Sequence, residues 1–316
     1  MRHFVFLIAI FASLIPELRA GEPFFKPNDI VALVGGEDMV VAAELGYLET
    51  LIQLALPDHH LKFRSLAREG DTVFEQRRDL NYPSLEAQLD KMGATVVICQ
   101  FGQMESLAGE EKIPAFIAAY EKLILRVAGG GKRRVVVHRP DDFELYLRPL
   151  PSGDAQNRLK ELEAIGKSFE AYAEALSNLK EYEGPPNVVY VISGEPVTRD
   201  SIHPNDLGHW LEAKRLANVL ENGDQTSVAF RTKRNGVPNE LLNLIRAKNR
   251  LWFHYYRPQN WAFLAGDRTN QPSSRDHLDP SKRWFPEELE KFVPLIDAKD
   301  AEIWALAKKL SAEGGK

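Results

Sequence analysis

A chain of 316 residues, 44% hydrophobic and 27% charged, has the apolar content of an ordinary globular protein and the length for one large core or two modest ones. Its formal net charge of −5 comes without any long basic block, which leaves nucleic acid out as a partner. The one cysteine, Cys99, excludes an internal disulfide, so the core must supply the stability.

In chain order, residues 1–20 read first as a secretory signal peptide. Arg2 and His3 make a short polar start, residues 4–15 an apolar run, and Leu18-Arg19-Ala20 ends on a small side chain suited to cleavage before Gly21. The apolar run is too short to cross a bilayer core of about 30 Å as a helix. A secreted or periplasmic protein with no stable transmembrane span is therefore expected; the alternatives are an uncleaved anchor or a buried first helix. Protein partners are not legible.

Short β-branched runs follow at residues 30–34, 61–66, 94–99, 134–138 and 188–192, alternating with helical patterns. Cys99 falls inside the third run, as a small buried hydrophobe. Phe116, Tyr120, Leu123, Ile124 and Val127 recur at helical spacing, as do Leu162, Ile165, Phe169, Tyr172 and Leu176. Continuous apolar strands alternating with amphipathic helices predict a mostly parallel sheet covered on both faces. Functional loops then belong at the carboxyl ends of the strands. Gly129-Gly130-Gly131-Lys132 is not a phosphate loop: it follows a helix, precedes a strand, and lacks the Ser or Thr after the lysine. Beyond residue 222 the texture changes to a helix over 238–248, the aromatic stretch 251–256, a Pro- and Asp-rich loop through Pro286, and a last amphipathic helix. Residues 223–316 read as an extension packed on a main domain over 28–222.

Chemistry concentrates at the strand ends. After the fifth run, Asp200-Ser201-Ile202-His203 is expected to open a helix, with Ser201 as a cap. A carboxylate three residues before a histidine can orient the imidazole and leave its other nitrogen free to take a proton. Glycines stand after the first three runs, in Gly35-Gly36-Glu37-Asp38, Gly70-Asp71-Thr72 and Gly102-Gln103-Met104-Glu105. His59-His60 reads as a turn. Glu37, Asp38 and His203 would suit a divalent ion only if their loops converge, so neither a metal nor a cofactor is assigned.

Over roughly residues 28–222 this arrangement resembles the SGNH/GDSL hydrolases. The resemblance implies a flavodoxin-like three-layer α/β/α sandwich with a five-stranded parallel sheet, here carrying a mainly helical C-terminal extension. It implies Asp200 and His203 as the acid and base of a triad, and Gly70 and Gly102 as oxyanion-binding positions. Two positions depart from the pattern. Glu37 stands where the family has its nucleophilic serine, and Met104 replaces the asparagine donor. Gly46-Tyr47-Leu48-Glu49-Thr50, and Lys248-Asn249 leading into Phe253–Asn260, resemble segments of a divergent bacterial branch of the same family. Ser106 is a conceivable replacement nucleophile.

Acyl transfer needs a hydroxyl for His203 to deprotonate and a donor for the oxyanion. Neither Glu37 nor Met104 supplies these, so ordinary serine-esterase activity is not expected. Two readings stay open. One is an exported hydrolase-like protein for esterified carbohydrate or a similar ester, with His203, Asp200 and Glu37 at its centre. The other is a non-catalytic glycan- or protein-binding module on the same fold, using Trp252, Trp261 and Trp284 if these lie exposed beside the cleft.

Overall fold

The computed structural model describes residues 24–140, 142–145, 155–179, 195–221 and 227–314. Both the signal segment expected at 1–20 and the fifth strand expected at 188–192 lie outside the described residues. Within them, β1 (Ile30–Gly35), β2 (Lys62–Ser65), β3 (Val96–Gln100) and β4 (Arg134–His138) form one parallel sheet in the order β2-β1-β3-β4. Val31 lies beside Phe63 and Val96, and Gly35 beside Gln100.

Successive side chains of a strand point to opposite faces, and here both faces are buried. Val31, Leu33, Phe63, Val96, Ile98 and Val136 enter one core, under α1 (Glu37–Leu45), α2 (Tyr47–Ala55) and α6 (Asp206–Glu221). Ala32, Val34, Val97, Cys99 and Val137 enter the other, under α3 (Leu85–Met92), α4 (Ile113–Ala128) and α5 (Ala155–Ser177). This is the three-layer α/β/α arrangement. The stripe from Phe116 to Val127 is a core face, as its spacing predicts. Desolvation pushes the buried Cys99 thiol up to about 12, so no thiolate is on offer.

Chain order along the sheet reverses between β1 and β3. The ligand crevice of an open α/β sheet, outside the carboxyl ends of two strands whose connections diverge, therefore opens there.

The extension comprises α7 (Val228–Arg231), α8 (Asn239–Tyr256), α9 (Trp261–Leu264), α10 (Trp284–Glu290) and α11 (Phe292–Gly314). α8 runs two turns past the expected end at residue 248, because the aromatic stretch is its continuation. Those rings have only middling helix propensity, and docking overrides it. Trp252 Nε1 donates to Ser65 O (2.6 Å), Tyr256 OH to Leu66 O (3.1 Å), and Trp304 Nε1, from α11, to Leu61 O (2.9 Å). All three acceptors belong to the β2 segment at the sheet edge, whose open carbonyls would otherwise invite another strand.

A buried ion pair joins the extension to the sheet layer. Lys248 Nζ donates to both carboxylate oxygens of Glu49 at 2.7 Å and to Phe63 O at 3.1 Å. Beside it Arg64 pairs with the buried Asp300 of α11. Asn249 Nδ2 donates to Ala43 O at 2.8 Å. The two segments singled out as branch-like, one around Glu49 and one at Lys248-Asn249, thus meet in space.

Candidate active site

The first strand end is shaped by a close approach. A Cβ on Gly35 would stand 2.6 Å from Gln100 O and 2.8 Å from Met39 Cβ, so only glycine lets β1 turn into α1 against β3. Glu37 and Asp38 then begin α1. Together with Asp71, Gly102, Met104 and His203 they line a cleft at the switch point.

His203 arrives on a tight loop over residues 197–205. Glu144 accepts from Thr198 N (2.8 Å) and Thr198 Oγ1 (2.6 Å), and Arg199 N donates to His203 O at 2.9 Å. Ser201 sits at φ 79° with its N–H on Thr198 Oγ1. Asp200 and His203 therefore stand on the loop rather than opening the helix. The cap of α6 is Asn205, whose Oδ1 accepts the N–H groups of Leu207 (2.9 Å) and Gly208 (3.0 Å); Ser201 does not cap it. A Cβ on Gly208 would overlap Val197 O, so glycine lets the first turn of α6 press against the loop.

Within the loop, His203 Nδ1 lies 2.8 Å from Asp200 Oδ2, and Asp200 Oδ1 accepts the N–H groups of His203 (2.8 Å) and Ile202 (3.1 Å). Partial desolvation works to raise the Asp200 pKa, but these bonds outweigh it and hold the carboxyl below its ordinary range. The imidazole is thereby oriented with Nε2 toward Glu37, 3.6 Å from Glu37 Oε2, just beyond hydrogen-bond reach. Glu37 Oε1 accepts from Arg199. His203 thus stands between Asp200 and Glu37, and of the three Glu37 and His203 line the cleft.

Asp38 is different in kind. It is 7% exposed, and neither carboxyl oxygen has a hydrogen-bond partner among the described residues. Burial pushes its pKa up to about 7; His203 and Arg199 oppose the rise, while Glu37 and Asp200 add to it.

The two glycines expected to bind an oxyanion are placed unequally. Gly70 is exposed on a turn closed by Asp71 N donating to Arg68 O (2.9 Å), and its neighbours Glu69 and Asp71, not Gly70, line the cleft. Gly102 lines the cleft, but its N–H donates to Glu105 Oε2 at 2.9 Å while Val73 N donates to Oε1 at 2.7 Å. Glu105 thus clamps the loops after β2 and β3 together. Met104 is 51% exposed and brings no side-chain donor. Ser106 is fully buried, with Oγ donating to Gly102 O at 2.5 Å, and does not line the cleft.

Trp252, Trp261 and Trp284 lie outside the cleft lining, and Trp252 and Trp261 give their N–H groups to Ser65 O and Leu80 O. No group of His, Cys, Asp and Glu disposed to hold a metal occurs among the described residues. Sequence reasoning missed Arg199, Glu144 and the special state of Asp38. Only Arg199 carried a signal, being adjacent to Asp200.

No protein-family model and no curated protein matches the chain. Three solved structures to which it is similar differ in extent. A gut microbial diltiazem-metabolizing enzyme is 11% identical, over 94% of this chain and 97% of the other, with a TM-score of 0.44. A protein from Slackia heliotrinireducens assigned to the SGNH hydrolases is 16% identical, over 61% and 99%, with a TM-score of 0.38. An acetylxylan esterase from Geobacillus stearothermophilus is 13% identical, over 62% and 95%, with a TM-score of 0.34.

Proposed function

We propose that the chain is an exported SGNH/GDSL-like hydrolase for esterified carbohydrate or a similar ester, working by direct attack of water rather than through an acyl-serine. The observation that carries this reading is the imidazole of His203, held on one nitrogen by Asp200 and facing Glu37 across an open cleft with the other.

Water takes the place of the missing hydroxyl. His203 Nε2 accepts a proton from it as the water oxygen bonds to the ester carbon and the carbonyl pair moves onto oxygen. Collapse of that intermediate breaks the bond to the alcohol, whose oxygen recovers the proton from His203, leaving acid and alcohol. Glu37, anchored by Arg199, accepts from the second hydrogen of the same water.

A second reading, a non-catalytic ligand-binding module on this fold, is favoured by the Arg199 pairing that engages Glu37 at the nucleophile position. Purified protein assayed on acetylated sugars and nitrophenyl esters separates the two. His203→Ala is expected to lose about 10²–10⁴-fold in kcat, with a smaller loss in Glu37→Gln. Equal background rates for wild type and His203→Ala would remove the hydrolytic reading and leave the binding module.

A further inference from the structure

A hydrolytic cleft needs a hydrogen-bond donor where negative charge develops on the ester oxygen. The donors expected here are absent or engaged: Met104 has none, the Gly102 N–H is held by Glu105, and Gly70 is off the cleft. Among the described residues lining the cleft, one carboxyl group is buried with neither oxygen partnered. Asp38 lines the cleft beside Glu37, is more than nine-tenths buried, and leaves both carboxyl oxygens unpartnered among the described residues.

We infer that Asp38, kept as a neutral carboxylic acid, donates its O–H to the oxyanion of the bound ester. This rests on the hydrolytic reading above for its role in turnover, but not for its chemistry as a donor. A buried carboxylate without hydrogen bonds is costly, whereas the neutral acid carries one strong donor, which a ligand oxygen satisfies once the side chain turns its carboxyl, sealed from solvent in the free protein, toward the cleft. The charged groups that face Asp38 are Glu37 from its own helix and Arg199, Asp200 and His203 from the loop over 197–205. The two carboxylates discourage a third anion; Arg199 and His203 favour it; burial outweighs both, and the acid ionises only near pH 7. Met104 at the third strand end is then compensated from the first. A neutral carboxylic acid used as an oxyanion donor is sound chemistry wherever an apolar site holds the proton on.

Acetate, a carboxylate product and a stand-in for the oxyanion, tests this without requiring turnover. Its affinity for wild type, Asp38→Asn and Asp38→Ala is measured by calorimetry between pH 6 and pH 9. Above about pH 7 the wild type is expected to lose log affinity with a slope one proton steeper than Asp38→Asn, whose amide keeps a donor and cannot ionise. At pH 6 Asp38→Asn should bind within a few-fold of wild type, and Asp38→Ala about tenfold or more weaker, with thermal melts confirming that both variants are folded. Identical slopes for wild type and Asp38→Asn, undiminished binding by Asp38→Ala, or no acetate binding by wild type would each overturn the inference. The ester assay on His203→Ala reads the hydrolytic reading separately. A protein with no esterase activity but the one-proton difference in acetate binding loses that reading and keeps the donor; an active esterase without the difference does the reverse.

Discussion

Replacing Lys248 with methionine keeps nearly the length of the side chain and removes its charge, at a site where the one neighbouring cation that acts on Glu49, Arg64, is paired with Asp300. Lys248 is 0% exposed, and its ammonium makes three short bonds, two to Glu49 and one to Phe63 O. Burial pulls the lysine pKa down and pushes that of Glu49 up, each opposed by the partner's charge. With the ammonium gone, Glu49 is a desolvated carboxylate near Asp300, a second acid on the extension. Breaking a buried pair from one side typically costs about 3–5 kcal/mol, against a total stability of about 5–15 kcal/mol. At about 2 °C per kcal/mol for a chain of this size, the melting temperature should fall by about 6–10 °C. Glu49→Leu combined with Lys248→Met removes both charges, so the double variant should recover most of the loss. Urea and thermal unfolding of wild type, single and double variants, followed by circular dichroism, give the comparison. A single variant within about 0.5 kcal/mol of wild type, the range of an ordinary surface change, would refute the idea that this pair clamps the extension to the sheet.

Further outcomes follow from the same residues. Asp38 has its pKa raised to about 7 from an ordinary 3.8, so the folded state holds a proton that the unfolded state releases. Its contribution is fully present below about pH 3.8 and declines by about 4 kcal/mol as pH rises to 7; Asp38→Asn should flatten that decline in urea midpoints and be the more stable protein at pH 8. His209, driven down to about 4 by burial against the pull of Glu212, works in the opposite sense. Above about pH 6.5 it costs nothing, and stability is lost as pH falls from there to 4, by about 3 kcal/mol; His209→Gln should blunt the acid limb, and an unchanged limb would assign it to other groups. Gly208→Ala should displace the loop carrying Asp200 and His203, lowering kcat more than it changes the melting temperature. Ser106→Ala should leave ester hydrolysis within twofold while costing about 0.5–1.5 kcal/mol for its lost hydrogen bond; loss of activity there would revive Ser106 as a nucleophile.

What could be read from the residues alone was local and periodic. The four described strands fall where the β-branched runs place them, the Phe116–Val127 stripe is a core face, and Gly129 ends α4 in the left-handed conformation at φ 57°. The Asp200–His203 bond was also legible, because a separation of three residues within one loop suffices to make it. These features depend on side-chain alternation, helical spacing and turn chemistry, which act within a few residues. Satisfaction of polar groups does not. Whether the Gly102 N–H is free or held by Glu105, whether the Ser106 hydroxyl faces the cleft or Gly102 O, and whether Asn205 or Ser201 caps α6 are settled by competition among nearby partners in the folded loop. Glu37 meets Arg199 across 162 positions of sequence, and Glu49 meets Lys248 across 199. No short-range pattern encodes such pairs. Burial of an unpartnered Asp38 is likewise a property of what packs around α1, since desolvation is a sum over neighbours drawn from distant parts of the chain. Alternation and helical spacing set the layers and the strand ends because they act within a few residues; which donors and acceptors at those ends stay open to a ligand depends on partners that folding alone brings together.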